Sequence, residues 1–322
     1  MSSIFFKKTF SVVALLCAAQ SAIAEERELR ATSAFGLGTT FSRDFESFVD
    51  WVNKHGKGEI QINLLGGPEA IPPFEQGNAV QSGVVDMIND TSAFYANLVP
   101  SGDALHLAEN TIQDQRANGC YEQIDNIHQT QMNAKYLARI GDNMPFHLYT
   151  TELVKGLDLS GLTIRTTPVY RAMFSALGAN LVRTAPGEVY SALERGSIDG
   201  YGWPSQGVLD LGWHEQTKYR VDPGFYQVDV NVLVNLDVWN SLTDSQRAKL
   251  EEGATWIEAR NIDNIGYNAN EYAAQAKAGI KTISLTGEQR EKWLDAAQNE
   301  GWAVVEGVDP DLAGKLRRCL SN

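Results

Sequence analysis

The chain has 322 residues, 43% apolar and 21% charged, a composition that folds and a length at which one core divides into two lobes. Its net charge is −13, and without the first 24 residues 25 basic groups stand against 40 acidic ones, a net −15. With no Lys/Arg cluster, that field excludes nucleic acid and anionic lipid as partners, and an anionic ligand would need one local cation to attract it.

Lys7-Lys8, the apolar run over residues 10–19 and Ser21-Ala22-Ile23-Ala24 have the order of a secretory signal peptide (residues 1–24), with cleavage expected after Ala24. The apolar run is about half the roughly 20 residues that a membrane-spanning helix needs. Leu16 stands before Cys17 where lipid attachment requires a small residue, so lipidation is not expected. The mature chain is expected to be exported and soluble. It keeps Cys120 and Cys319, the count for one disulfide in an oxidising compartment, with spatial geometry deciding whether they pair.

Residues 29–33 read as a strand, 41–53 as a helix and 59–64 as an alternating strand. After the Gly66-Gly67-Pro68 turn come a helix at 76–81 and a strand at 84–88. This βαβαβ order predicts a mostly parallel sheet with helices on both faces. A second cycle begins near Phe146, with a strand at 162–165, a helix at 170–177, a strand at 180–182, a helix at 188–195 and a further strand at 226–234. Thr243 and Gln246 form a capping box ahead of a helical stretch to about Lys277, long enough to straddle two lobes. Thr286 and Gln289 repeat the box before a helix at 291–299. The fold class is therefore α/β and two-lobed with a long C-terminal helix spanning both lobes. Residues 25–145 plus about 235–275 are expected in the first lobe, and 146–234 plus about 276–322 in the second.

The five histidines are scattered, with no H-E-x-x-H, and the chain has neither a G-x-S-x-G elbow nor a phosphate-binding P-loop. Gly36-Leu37-Gly38 lacks the third glycine of a dinucleotide loop, and Leu64-Leu65-Gly66 stand where that fold places its acid. It reads as a tight turn whose amides, at a helix N-terminus, face the cleft and help hold an anion. No cofactor and no metal are expected. Arg165 closes a strand, on the face opposite Ile164, where open α/β sheets bind ligands, and its planar fork suits a carboxylate. Tyr149, Tyr170, Tyr201, Trp203, Trp213, Phe225 and Tyr226 crowd the segments expected to end at the same crevice.

The run Gly161-Leu162-Thr163-Ile164-Arg165-Thr166-Thr167-Pro168, the later Ala185-Pro186-Gly187-Glu188-Val189-Tyr190-Ser191-Ala192-Leu193-Glu194-Arg195-Gly196-Ser197-Ile198-Asp199-Gly200, and the stretch from Ala79 to Met87 resemble, in order and spacing, the extracytoplasmic solute receptors of TRAP transporters, the DctP-like periplasmic binding proteins. The resemblance implies a periplasmic, two-lobed receptor that closes on a small organic acid and docks on membrane permease subunits. It also implies that Arg165 grips the carboxylate. Trp203, in Asp199-Gly200-Tyr201-Gly202-Trp203-Pro204, stands where many members have Asn and looks like the branch that binds α-keto acids. Gln227 and Pro145-Phe146 fall where that branch keeps its metal ligands, which argues against a bound cation. A monocarboxylate with an aromatic or otherwise apolar body is the ligand this implies.

The expected site has Arg165 as clamp and Trp203 and Tyr201 as walls, with Phe35 and the Gly36 turn closing from the first lobe. Thr91 and Gln227 are expected polar contacts, with Tyr149 and Tyr170 behind them. Glu188, Tyr190 and Asp199 are expected to be structural. The rival reading, an exported α/β enzyme acting on an organic acid, requires a poised acid–base pair that no spacing supplies.

Overall fold

The computed structural model describes residues 26–321, so the signal segment and its cleavage site lie outside the described residues. Strand β1 (Arg27–Ser33), helix α1 (Thr40–His55), β2 (Ile60–Gly66), α2 (Gln76–Gln81) and β3 (Met87–Thr91) reproduce the predicted βαβαβ order, β3 lying a few residues later than expected. Helix α1 forms because Phe41, Phe45, Phe48, Val49 and Val52 recur at helical spacing and all face inward. Phe45 and Phe48 are fully buried, each worth about 1.5–3 kcal/mol of transfer free energy.

Helices α3 (Ile112–Asn118) and α4 (Cys120–Met132), which the periodicity does not announce, lead into β4 (Ala134–Ile140). The chain then crosses to a second sheet with β5 (Pro145–Thr150), β6 (Thr163–Thr166), α5 (Pro168–Ala176), β7 (Asn180–Arg183), α6 (Pro186–Glu194), β8 (Gly200–Pro204), β9 (Tyr219–Asp222) and β10 (Phe225–Gln227). Strand β11 (Val230–Asn235) returns to the first sheet. It is followed by α7 (Leu236–Ser241), α8 (Asp244–Glu258), α9 (Asn264–Lys277), β12 (Lys281–Ser284), α10 (Gly287–Val308) and α11 (Pro310–Leu320).

The first sheet has the order β2-β1-β3-β11-β4 and the second β12-β9-β5-β8-β6-β7, with β10 pairing β5. Two lobes are present, but the sheets are mixed rather than mostly parallel. β1 runs parallel to β2 and β3, and β6 to β7 and β8, whereas β11 is antiparallel to β3 and β4, and β5 to β8 and β9. The antiparallel strands are those beside the crossings between sheets, where no helical return connection sets the direction.

The expected single strand at 226–234 is split. Tyr226 adopts φ 37°, the ladder of the second sheet ends at Gln227, and β11 opens in the first sheet at Val230. The boundary expected after 234 therefore falls before 230. At the crossing, Val228 N donates to Met144 O, tying the two passages together. They pack so closely that a Cβ on Gly141, itself at φ 110°, would lie 2.4 Å from Val228 Cγ1.

The helical stretch from Thr243 is present as α8, a 3₁₀ turn at Ala259–Asp263 and α9, and the Thr243/Gln246 capping box forms as expected. The second box does not, since Thr286 makes no side-chain cap and α10 runs well past the expected end. One row of amides on the α8–α9 path joins both sheets. Asn261 holds Gly141 N and Arg139 O, Asn264 holds Asp142 O, Asn268 bridges Asn143 O and Ser205 Oγ, and Gln275 holds Ser205 O. Cys120 and Cys319 are joined in a disulfide with Cα atoms 5.5 Å apart, which fastens α11 to α4 of the first lobe although residues 276–322 were expected in the second.

Candidate functional site

Arg165 lies on β6 between β7 and β8, in register with Val182 and Tyr201. It is fully buried. Its Nε and Nη2 donate to Thr184 O at 3.1 and 2.9 Å, and Nη1 donates to Tyr170 Oη at 2.7 Å. Pro168 opens α5 at its first turn and sets Tyr170 beneath the guanidinium, where the phenol donates in turn to Gly202 O at 2.7 Å. No carboxylate of the described residues forms a salt bridge with Arg165. Burial pushes its guanidinium down from the usual value, and Tyr170 opposes that shift. A guanidinium has five N–H donors, so these bonds leave one N–H on each terminal nitrogen without a hydrogen bond among the described residues.

Trp203 on β8 faces the other sheet. Its ring meets Phe41 edge-on at 5.6 Å, Trp213 at 4.7 Å and the Arg165 guanidinium carbon at 5.6 Å. Its indole Nε1 is buried without a hydrogen-bond partner. Phe41 also packs on Phe35, with centroids 5.3 Å apart. These three rings separate two cavities between the sheets. The inner one, about 40 Å³, is lined by Thr91, Phe94, Phe146, Tyr170 and Asp229 beyond the shared rings. The outer one, about 310 Å³ and mostly apolar, runs from Gly36 and Pro68 to Ala185, Gly187 and Leu211. Grooves of about 420 and 500 Å³ lie elsewhere, one along α1 and α9 and one beside Arg171 and Arg183. They share no wall with Trp203 or Tyr170.

The sheets also touch directly. Asp210 Oδ2 accepts from Thr40 N and Thr40 Oγ1 at 2.8 and 2.7 Å, with Arg43 at 3.8 Å, and the Arg183 guanidinium sits 4.2 Å from the Phe74 centroid.

Behind the inner cavity lies a group of buried acids. Asp229 accepts from Ser92 N at 3.0 Å and Thr91 Oγ1 at 3.3 Å. Burial, with Asp229 adding repulsion, pushes the Asp103 carboxyl up to about 7. Asp90 is raised by burial in the same way.

The structure brings Trp203, Tyr170, Phe35, Gly36 and Thr91 to the cavity walls; Arg165 touches two of these, Tyr170 and Trp203, but lines neither cavity, and Tyr201, Tyr149 and Gln227 are left out. Tyr201 stacks on Tyr149 at 5.2 Å and bonds Thr217, while Tyr149 reaches Pro204 O and Gln275; neither lines a cavity, because both lie one layer deeper in the second sheet. Gln227 ends β10 at the crossing, its Oε1 buried and unpartnered, away from the cavity walls. The Gly36 turn is also corrected. Its helix-end amides are engaged by the chain's own carboxylates, Gly38 N by Glu46 and Thr40 N by Asp210. Glu188 and Asp199 hold backbone amides of Ala185 and Thr163, and Tyr190 bonds Glu215, the structural roles expected of them. Sequence reasoning missed Phe41, Phe146 and Asp229. Phe41 had a readable signal, since it opens the helix that follows the cleft turn.

Comparison with known proteins identifies the family and the fold. The chain is 28% identical over 211 residues to the monocarboxylate 2-oxoacid-binding periplasmic protein of Nostoc sp., a match spanning 61% of this chain and 57% of that relative's length. It is 23% identical to the C4-dicarboxylate-binding periplasmic protein DctP of Rhodobacter capsulatus, over 84% of each chain. A TRAP transporter solute-binding protein of Bordetella bronchiseptica, solved with calcium and picolinate, superposes with a TM-score of 0.81 at 19% identity over 92% of both chains. Residues 32–303 match the profile described as bacterial extracellular solute-binding protein, family 7 (DctP), and the chain belongs to that family of extracytoplasmic, non-enzymatic transport receptors.

Proposed function

We propose that the protein, exported by a signal peptide cleaved after Ala24, captures a small monocarboxylate with an apolar or aromatic body between its two sheets and delivers it to TRAP permease subunits in the membrane. The sheets act as the two lobes: β1–β4 with β11 form one, β5–β10 with β12 the other. The observation that carries this reading is Arg165, a buried cation held by neutral acceptors with two donors left over. Burying such a charge without a counter-charge is costly, and a ligand carboxylate supplies one. The picolinate of the Bordetella bronchiseptica structure and the 2-oxoacid named for the Nostoc relative are both monocarboxylate chemistry, whereas the Rhodobacter capsulatus relative is named for C4-dicarboxylates. Binding shifts an open–closed equilibrium through contacts made only when the lobes meet, and no bond is made or broken.

A thermal-shift screen of the mature protein against organic acids, benzoate and phenylpyruvate among them, tests the clamp. Two charge-assisted bonds at about 1.5–3 kcal/mol each make Arg165→Ala lose roughly a hundredfold or more in affinity. Arg165→Lys loses most of it too, because a point charge cannot replace the fork. Undiminished ligand stabilisation of Arg165→Ala refutes the reading.

A further inference from the structure

Helices α8 and α9 continue one rod, but their outer faces differ. On α8 the exposed positions include Asp244, Glu251, Glu252 and Thr255, as a solvent-facing side requires. From the 3₁₀ turn through α9, the exposed positions Ile262, Ile265, Ala269, Ala273 and Ala276 recur at intervals of three and four, and all are apolar. Ile262 is 61% exposed and Ile265 56%, which puts both among the three most exposed large apolar side chains of the described residues. Gly266 is exposed beside them. A Cβ there meets nothing within 4 Å and its φ is not positive, so neither packing within the chain nor backbone geometry calls for glycine, which costs a helix about 1 kcal/mol against alanine. A missing side chain on an exposed helix lets a second helix come close.

The apolar positions are symmetric about Ala269: 262 and 276 lie equally far from it, and so do 265 and 273. Reversing the helix therefore sets each isoleucine against an alanine, large against small. Asp263 and Lys277 flank the seam on one side, both exposed and neither in a salt bridge among the described residues. In a two-fold antiparallel pair the same flank of each helix meets, so each Asp263 lies within about 3 Å of rise of the other copy's Lys277. We propose that this face of α9 is the interface of a dimer, in which two copies of this chain pack antiparallel along α9 with Ala269 at the two-fold axis. The apolar pattern complements its own reverse and so do the charges at its ends, which selects a second copy of this chain as the occupant. A seam of about four turns is short beside the roughly 800 Å² per partner of a standard interface, so the dimer forms reversibly and with rising concentration. The pairing does not depend on which acid the cleft takes.

Sedimentation velocity of the mature protein over a concentration series should show a shift from the mass of one chain to twice that mass. Ala269→Glu places two carboxylates side by side at the axis and should remove the dimer, while an unchanged melting curve checks that this exposed substitution leaves the fold intact. Single cysteines read the direction of the pair, since Cys120 and Cys319 are already joined to each other. Under mild oxidation Ala269→Cys should link to its own copy, and a mixture of Ile262→Cys with Ala276→Cys should link across. Ala276→Cys alone, about 21 Å from its counterpart at 1.5 Å per residue, should not. A protein that stays monomeric throughout the series overturns the proposal and leaves the face to a different partner. A dimer that persists in Ala269→Glu, or in which Ala276→Cys links to itself, overturns it too, because the copies then meet elsewhere or in another direction.

Discussion

Two neutral acceptors, Thr184 O and Tyr170 Oη, hold the Arg165 guanidinium where a structural arginine would have a carboxylate. That position was readable because few cations in so acidic a chain close a strand. Tyr170 was readable only as one aromatic among several, since its direction is set by the Pro168 turn that follows β6. Tyr201 shows what the alternation of a strand leaves out. It shares a face with Trp203, and both pack on Trp213, but two residues along a strand is about 7 Å, enough to carry Tyr201 off the cavity walls. The titration of Asp103 also belongs to this scale. Its folded carboxyl lies near 7 and its unfolded one near 4, so the folded state binds more protons between those values and this group's contribution to stability falls as pH rises from about 4 to 7. Asp103→Asn should therefore raise the melting temperature relative to wild type at pH 8 and give little gain at pH 4. An equal gain at both pH values would mean that the buried group near Asp229 and His106 does not titrate in that window. The difference between variant and wild type is the quantity to measure, because burial holds His106 at about 3 and His128 at about 4, and both add stability as pH rises over much of the same range.

Helix α1 begins without an acidic residue in its first turn and without a cap from Thr39. Its first amide is capped by Asp210, 170 residues away on the other side of the cleft. No local pattern reveals such a partner, whereas the Thr243/Gln246 box, complete within four residues, was legible and is present. The split between β10 and β11 was hidden for a related reason, since alternation continues through a change of sheet. A cap is worth about 1 kcal/mol, and this one forms where the two sheets touch. Asp210→Ala should weaken pyruvate binding about fivefold by calorimetry through the open–closed equilibrium alone. An unchanged dissociation constant would show that the bond contributes equally to both forms.

For the molecule as a whole, length and α/β alternation were enough to give two lobes, a cleft and a long helix. Which sheet each strand joins was not legible, because it is decided by contacts between residues far apart in the chain. The disulfide is such a contact: Cys120 and Cys319 lie 199 positions apart in sequence, with the entire second sheet between them. On a loop-entropy argument, replacing both cysteines by serine should lower unfolding free energy by up to about 5 kcal/mol, measured by denaturant titration. A loss below about 1 kcal/mol would place the constraint elsewhere. The amide row on α8–α9 bears on how the halves move. Asn261, Asn264, Asn268 and Gln275 grip the 139–143 segment, where the chain passes between sheets, and Ser205 just after β8 of the second sheet, so both halves are pinned along one rod. In the proposed opening and closing such a rod is the axle, as the spine is for the covers of a book, so spin labels on the far rims should travel furthest and labels beside Asn268 hardly at all.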